Sequence, residues 1–233
     1  MKSHIPESLI QAIAIIVFGV LVYFGIDKAS DRGRVVHVRG LAEMEVPADK
    51  VFWNLNYGFV GNDMQDLFKS ISQKNIIVKN FLTDNGIDEK TITFNPPSLT
   101  DYEANAYSTN RSRFRYSINS NIIVATSNVD AVRELRQTFQ QKMNKLIDSG
   151  IVLNSGYASY EFTGLNKIKP QMIEEATINA RAVAEKFAKD SQSKLGKIRN
   201  ASQGVFSIND RDENTPYIKK VRVVSTIDFA LED

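Results

Sequence analysis

Residues 35–59 read VVHVRGLAEMEVPADKVFWNLNYGF, and they decide the fold. Val36, Val38, Gly40, Ala42, Met44 and Val46 alternate with His37, Arg39, Leu41, Glu43 and Glu45. Period two over this length is the pattern of a strand with one buried face. Pro47-Ala48-Asp49 interrupts it, because proline has no N–H to give a ladder and so marks a turn or bulge. Val51, Trp53, Leu55, Tyr57 and Phe59 then share one face of a second strand. The two strands are expected to pair as a long antiparallel hairpin.

Downstream the period changes. Met64, Leu67, Phe68, Ile71, Val78, Phe81 and Leu82 recur at three and four residues, with Asn62 or Asp63 as N-cap and Gly86 just past the end. Thr91–Phe94 is a strand stopped by Pro96-Pro97, and Ser98–Asn110 a long loop or irregular hairpin tip. Alternation returns over Arg113–Thr126, with Phe114, Tyr116, Ile118, Ile122 and Val124 inward. A second helix places Val129, Val132, Leu135, Phe139, Met143 and Leu146 on one stripe and ends at Ser149-Gly150. A strand over Ile151–Phe162 leads to a third helix opening near Pro170, a residue suited to the first helical position. Its stripe is Met172, Ala176, Ala180, Val183, Ala184 and Phe187, closed by Leu195-Gly196. The ladder of Ala176, Ala180 and Ala184 allows close approach of another element: within the domain it predicts a helix lying tight on a sheet, and between chains an oligomer contact. Strands near Ile198–Ile208 and Val221–Ala230 flank a polar loop, Asn209–Lys220. Glycine ends each helix just before a strand, at Gly86-Ile87, Gly150-Ile151 and Gly196-Lys197-Ile198. The order ββαββαβαββ predicts an α+β fold: largely antiparallel sheet with three packed helices.

Ahead of this lies Leu9–Ile26, LIQAIAIIVFGVLVYFGI, with no charge and only Gln11 strongly polar. It is at the short end of the roughly 17–25 residues that a helix needs to cross a bilayer. Its flanks lack the small-x-small site of a secretory peptide, so an uncleaved transmembrane anchor is expected. The expected organisation is a short tail (1–8), an anchor (9–26), a linker (27–34) and one folded domain (35–233). Lys28, Arg32, Arg34 and Arg39 follow the span while only Lys2 and the amine precede it. Counted alone, these charges would keep the domain cytoplasmic.

Of the 233 residues 24% are charged, yet net charge is only +2, which gives no global field for nucleic acid. There is no cysteine, which excludes disulfides, zinc thiolates and cysteine nucleophiles. His4 and His37 are the only histidines, too few for a usual zinc site, and His37 is expected to point outward from its strand. No dinucleotide fingerprint, P-loop or serine elbow occurs. Asn209–Asn214 carries oxygen ligands but lacks the glycine and terminal glutamate of a calcium loop, and reads as a solvated connection. Arg111, Arg113 and Arg115 beside Tyr107, Phe114 and Tyr116 have the makings of a basic-aromatic surface, but their spacing predicts an exposed strand face. No residue is nominated as catalytic, metal-binding or cofactor-binding, and no cofactor is expected.

The Val-x-Val-x-Gly-x-Ala opening at Val36–Ala42, the Val-Pro-Ala-Asp turn at Val46–Asp49, the Asn-Gly-Ile link at Asn85–Ile87 and the late alanine-rich helix together resemble the SIMPL domain family, DUF541. The resemblance covers Val35–Asp233. It implies an exported bacterial protein, periplasmic or membrane-anchored, α+β in fold and inclined to oligomerise. Some members are linked to oxidative-stress tolerance and others are known as surface or periplasmic antigens; no catalytic residues carry over. It also favours placing the domain outside the cytoplasm, against the Lys/Arg count. The expected function is a membrane-tethered envelope protein that is not an enzyme, binding itself or an envelope partner. The alternative is a periplasmic small-ligand binder with Trp53, Tyr57 and Phe59 lining a pocket between helices and sheet.

Overall fold

The computed structural model describes residues 7–30, 34–104 and 113–232, with side chains for all of these except 7–10 and 24–30. Helix α1 (Glu7–Ser30) is followed by β1 (Val35–Pro47), β2 (Lys50–Gly61) and α2 (Met64–Asp84). A single 3-10 turn, Glu89–Thr91, leads to β3 (Ile92–Phe94), β4 (Ser98–Asp101) and β5 (Tyr116–Thr126). Then come α3 (Val129–Lys142), α4 (Asn144–Ile147), β6 (Asn154–Glu161), α5 (Leu165–Asp190), β7 (Lys194–Gln203), β8 (Ser207–Asp210) and β9 (Ile218–Glu232). The class is α+β with antiparallel sheets, as expected. The expected single helix over Val129–Leu146 is broken at Met143 into α3 and the one-turn α4, and the short strands β4 and β8 are additional.

β1 and β2 do not form the expected hairpin. One sheet has the order β1-β9-β7 with β8 also on β9; the other has β3-β5-β2-β6 with β4 also on β5. The Pro47 junction sends the two strands to different partners. The Ala48 N–H donates to the Tyr217 carbonyl at 2.8 Å and the Asp49 N–H to the Glu161 carbonyl at 2.9 Å. The Asp49 carboxylate meanwhile accepts the Thr163 N–H at 2.8 Å. Backbone groups that a tight hairpin would pair with each other are thus spent on distant segments.

The chain divides into two compact units. One comprises Met1–Ala42, Pro170–Phe206 and Val223–Asp233; the other comprises Glu43–Lys169 and Ser207–Arg222. In the second unit, Trp53, Leu55 and Tyr57 of β2 and Ile118, Ile122 and Val124 of β5 face Leu67, Ile71, Val78 and Leu82 of α2 and Val132, Leu135 and Phe139 of α3. β2 lies between β5 and β6 in antiparallel register, with Trp53 opposite Val124 and Ala158. The Trp53 ring meets Phe139 edge-on, centroids 5.6 Å apart. Asp63 caps α2 by accepting the Asp66 N–H, and Asn128 caps α3 by accepting the Ala131 N–H.

In the first unit, α5 lies on the sheet through Ala180 and Ala184, packed with Val38, Ile227 and Phe229. Ala176 and Ala188 are buried on the same stripe, which gives the tight helix-on-sheet contact that the alanine ladder predicts. Val183 and Phe187, expected in that stripe, are instead exposed. Each sits about 100° around the helix from the alanine row, and that row, matched to small residues on the strand beneath, sets which face turns inward. The helix also ends differently. Gln192 takes the left-handed conformation at φ 57°, while the positive-φ glycines among the described residues are Gly86 and Gly150.

The segment Leu9–Ile26 lies within α1, which continues through Ser30 into the expected linker. Among the described residues no helix is long and apolar enough to cross a membrane. The side chains of α1 are described only for Gln11–Tyr23, about 20 Å of helix, and all of them are exposed.

Candidate functional site

The aromatics proposed from sequence to line a pocket fill the core instead. Trp53 and Tyr57 are completely buried and Phe59 packs against the same cluster. The Trp53 indole donates to Ser155 Oγ at 3.0 Å. The Tyr57 hydroxyl donates to Asn75 Oδ1 at 2.7 Å, which also accepts from Ser120 Oγ at 2.9 Å. Burial pushes the Tyr57 phenol up to about 12, against a small lowering from Ser120.

His37 points outward, as expected, with its Nδ1 2.6 Å from Asp228 Oδ1; that partner and Asn200 hold the Asp228 carboxyl below its ordinary range. Arg115 is engaged with Asp101 at 3.0 Å and Glu103 at 3.2 Å, and lies 5.0 Å over the Tyr116 ring. Arg113 lies 5.9 Å over the Phe114 ring, while Arg111 and Tyr107 fall outside the described residues. The Arg115 head is thus spent on its neighbours.

The acidic stretch Asn209–Asn214 is split between β8 and a turn. Asp212 Oδ1 accepts the N–H groups of Asn214 at 2.9 Å and Thr215 at 2.8 Å. The Thr215 hydroxyl, and then the Arg211 guanidinium, lower the Asp212 carboxyl to about 2. Arg211 also reaches Glu45 at 3.4 Å. This is a turn held by a carboxylate cap, and no group of three or more His, Cys, Asp or Glu among the described residues could hold a metal.

That turn, however, builds one wall of a cleft. Arg133, Arg136 and Gln137 of α3, Tyr160 of β6, and Glu213, Asn214, Pro216 and Tyr217 enclose a cavity of about 330 Å³. The Arg133 guanidinium sits 5.1 Å over the Tyr217 ring and pairs with Asp130 at 3.1 Å. Arg136 Nη1 donates to the Tyr160 hydroxyl at 3.5 Å, and the rings of Tyr160 and Tyr217 meet edge-on with centroids 6.2 Å apart. Arg133 and Arg136 stand one turn apart, so both heads reach the same opening while Val132 and Leu135 anchor the helix below. The Ala48-to-Tyr217 backbone bond and the Asp212 cap fix the opposite wall. Two guanidiniums framed by aromatic faces suit a carboxylate or other planar anion. The sequence hint was the Arg133-x-x-Arg136 spacing alone; the tyrosines come from distant segments.

A family model described as SIMPL, protein of unknown function (DUF541), matches residues 36–226. Comparison with curated proteins gave no match.

Proposed function

Since this chain belongs to the SIMPL family (DUF541), we propose that it is an envelope protein tethered by one N-terminal transmembrane helix, Leu9–Ile26, whose folded part acts outside the cytoplasm as a non-enzymatic, oligomerising interaction module. The observation that carries this reading is α1, an unbroken helix whose described apolar side chains all face outward. Ile15, Ile16, Phe18 and Leu21 are each more than 60% exposed. Leaving such side chains in water forfeits roughly 1.5–3 kcal/mol apiece, a cost that lipid removes. From Leu9 to Ile26 the helix is about 27 Å long, close to the ~30 Å hydrocarbon core. The cleft supplies the chemistry of a partner: Arg and Tyr are favoured interface anchors, and two arginines select an acidic segment or a chain terminus. A link to envelope or oxidative stress rests on the family resemblance.

The absence of cysteine makes the test direct. Val205 is 93% exposed, so Val205→Cys offers one labelling site. A membrane-impermeant maleimide is expected to label it in intact spheroplasts of cells expressing the chain. Labelling only after permeabilisation overturns the orientation, and recovery of the intact chain in the soluble fraction overturns the tether. Sedimentation in detergent reads the assembly; a strict monomer that retains no envelope component counts against the interaction role.

A second reading, a periplasmic small-ligand binder, is favoured by the cleft, whose volume lies at the low end for ligand sites. Equilibrium dialysis against small dicarboxylates separates the two. Binding that Arg136→Ala abolishes supports the small-ligand reading, and no binding leaves the partner reading in place.

A further inference from the structure

The outer face of the five-stranded sheet stands apart in composition. Trp53, Leu55 and Tyr57 point into the core, so Phe52, Asn54, Asn56, Gly58 and Val60 of β2 point away from it. Antiparallel register sets Asn56 beside Asn121 of β5 and Asn154 of β6, and Gly58 beside Asn119. Asn154 Nδ2 donates to Asn56 Oδ1 at 3.3 Å, which ties that row together across strands. On β2 and β5, no Asp, Glu, Lys or Arg faces outward from the Phe52–Ala125 row to the Val60–Ser117 row. In a chain that is 24% charged, a solvent face of this extent would ordinarily carry several charges. β1 shows the usual pattern, with Arg39, Glu43 and Glu45 on its outward face.

Two local features shape the face for contact. A bulge in the β2–β6 pairing between Trp53 and Leu55 turns Tyr157 outward, where it is 70% exposed. At Gly58 a Cβ would stand 2.3 Å from Asn119 Oδ1, so only glycine lets that carboxamide lie across the strand. A shallow cavity of about 450 Å³ lies there, lined by Gly58, Phe59, Val60, Ser117 and Asn119.

Neutrality selects the occupant. Lys50, at the edge of the face, holds its Nζ 4.6 Å over the Phe52 ring. Between the Phe52 and Val60 rows of β2 and β5, phosphates, anionic headgroups and acidic peptides meet no cationic side chain. A purely apolar partner would strip water from the carboxamides without replacing their hydrogen bonds, which is costly for each one buried. Carboxamides offer donor and acceptor side by side, which matches vicinal hydroxyls, and an exposed ring offers an apolar plane for the C–H face of a pyranose. We propose that this face binds an uncharged glycan strand, with Asn56, Asn121 and Asn154 as its hydrogen-bonding row and Tyr157 as its stacking platform. The site is separate from the arginine cleft and does not depend on the membrane tether.

The test is a titration of the ¹⁵N-labelled full chain with chitohexaose, an uncharged β-1,4-linked oligosaccharide, in a non-glycosidic detergent, because alkyl maltosides would themselves present sugar. The carboxamide resonances of Asn56 and Asn121 are expected to move. Asn121→Ala and Tyr157→Ala should each weaken binding about tenfold or more while keeping the dispersion of the backbone amides. Unmoved carboxamide resonances overturn the proposal, as does equal affinity in both variants. It also fails if Asn121→Arg converts an oligomer to a monomer while chitohexaose leaves the wild-type spectrum unchanged, for then the face meets a second copy of this chain.

Discussion

Gly40 and Ala176 touch through their backbones: a Cβ built on Gly40 would stand 1.8 Å from the Ala176 carbonyl oxygen and 2.6 Å from the Ala180 nitrogen. The strand therefore runs directly beneath the helix, and Asn179 Nδ2 donates to the Leu41 carbonyl at 2.8 Å across the same contact. Neither obstructing atom is a side chain that could rotate away. Gly40→Ala should force α5 off the sheet and destabilise this unit by about 3 kcal/mol or more. Hydrogen exchange of the α5 amides gives the measurement; protection unchanged from wild type would mean that the contact is not made in solution.

Three helices end in one geometry with different residues at the critical position. After α2, Ile87 N–H reaches the Leu82 carbonyl and Gly86 N–H the Thr83 carbonyl; after α4, Ile151 and Gly150 repeat the pattern on Leu146 and Ile147. After α5, Ser193 N–H reaches Ala188 and Gln192 N–H reaches Lys189. These are paired Schellman bonds, and they require a left-handed residue. Gln192 carries a Cβ in that conformation, which costs roughly 1–2 kcal/mol that glycine avoids. Gln192→Gly should raise the denaturant midpoint by the equivalent of about 1 kcal/mol. Gly150→Ala, whose Cβ would meet open space, should lower it by a similar amount through φ alone.

Those helix ends also show how far residue patterns reach. Local signals carried α2, α3, β1, β2 and β5, because period and capping are written into neighbouring residues: Asp63 and Gly86 bracket α2 as its sequence implies. Partner choice is not local. Val36–Phe59 looks like a hairpin until Ala48 and Asp49 bond Tyr217 and Glu161, far along the chain. The buried stripe of α5 departs from expectation at Val183 and Phe187 because hydrophobicity alone favours the larger residues, whereas the close approach at Gly40 selects alanine. β4 and β8 escaped because Ser98–Asp101 and Ser207–Asp210 carry no apolar alternation of their own. The arginine cleft draws on α3, β6 and the turn before β9, so only the Arg133–Arg136 spacing was open to inspection.

Tyr57 gives the second unit an alkaline limit. Its phenol titrates at about 12 when folded, against 10 in the open chain, because burial disfavours the phenolate. The folded value is the higher one. The contribution is therefore complete below pH 10, declines between about 10 and 12, and is lost above. A difference of this size between folded and open chain corresponds to roughly 2–3 kcal/mol. Tyr57→Phe should cost about 1 kcal/mol at neutral pH, since Asn75 Oδ1 still accepts from Ser120. Across that alkaline window the gap between wild type and variant should close and then invert. Paired denaturant titrations from pH 8 to 12 would show it, and parallel curves would rule out a buried neutral phenol.

Ser225 poses the opposite case, a polar atom with nothing to gain from burial. It faces inward on β9 between Val223 and Ile227, it is 4% exposed, and its Oγ has no hydrogen-bond partner among the described residues. Its backbone is in the ladder, paired in register with Gln203, so only the hydroxyl is at issue. Removing an unpaired buried hydroxyl recovers its desolvation, about 1–3 kcal/mol, and sacrifices only a small volume. Ser225→Ala should therefore be neutral or stabilising by about 1 kcal/mol. A fall in stability of more than 1 kcal/mol for the alanine variant would show that the hydroxyl is hydrogen-bonded after all.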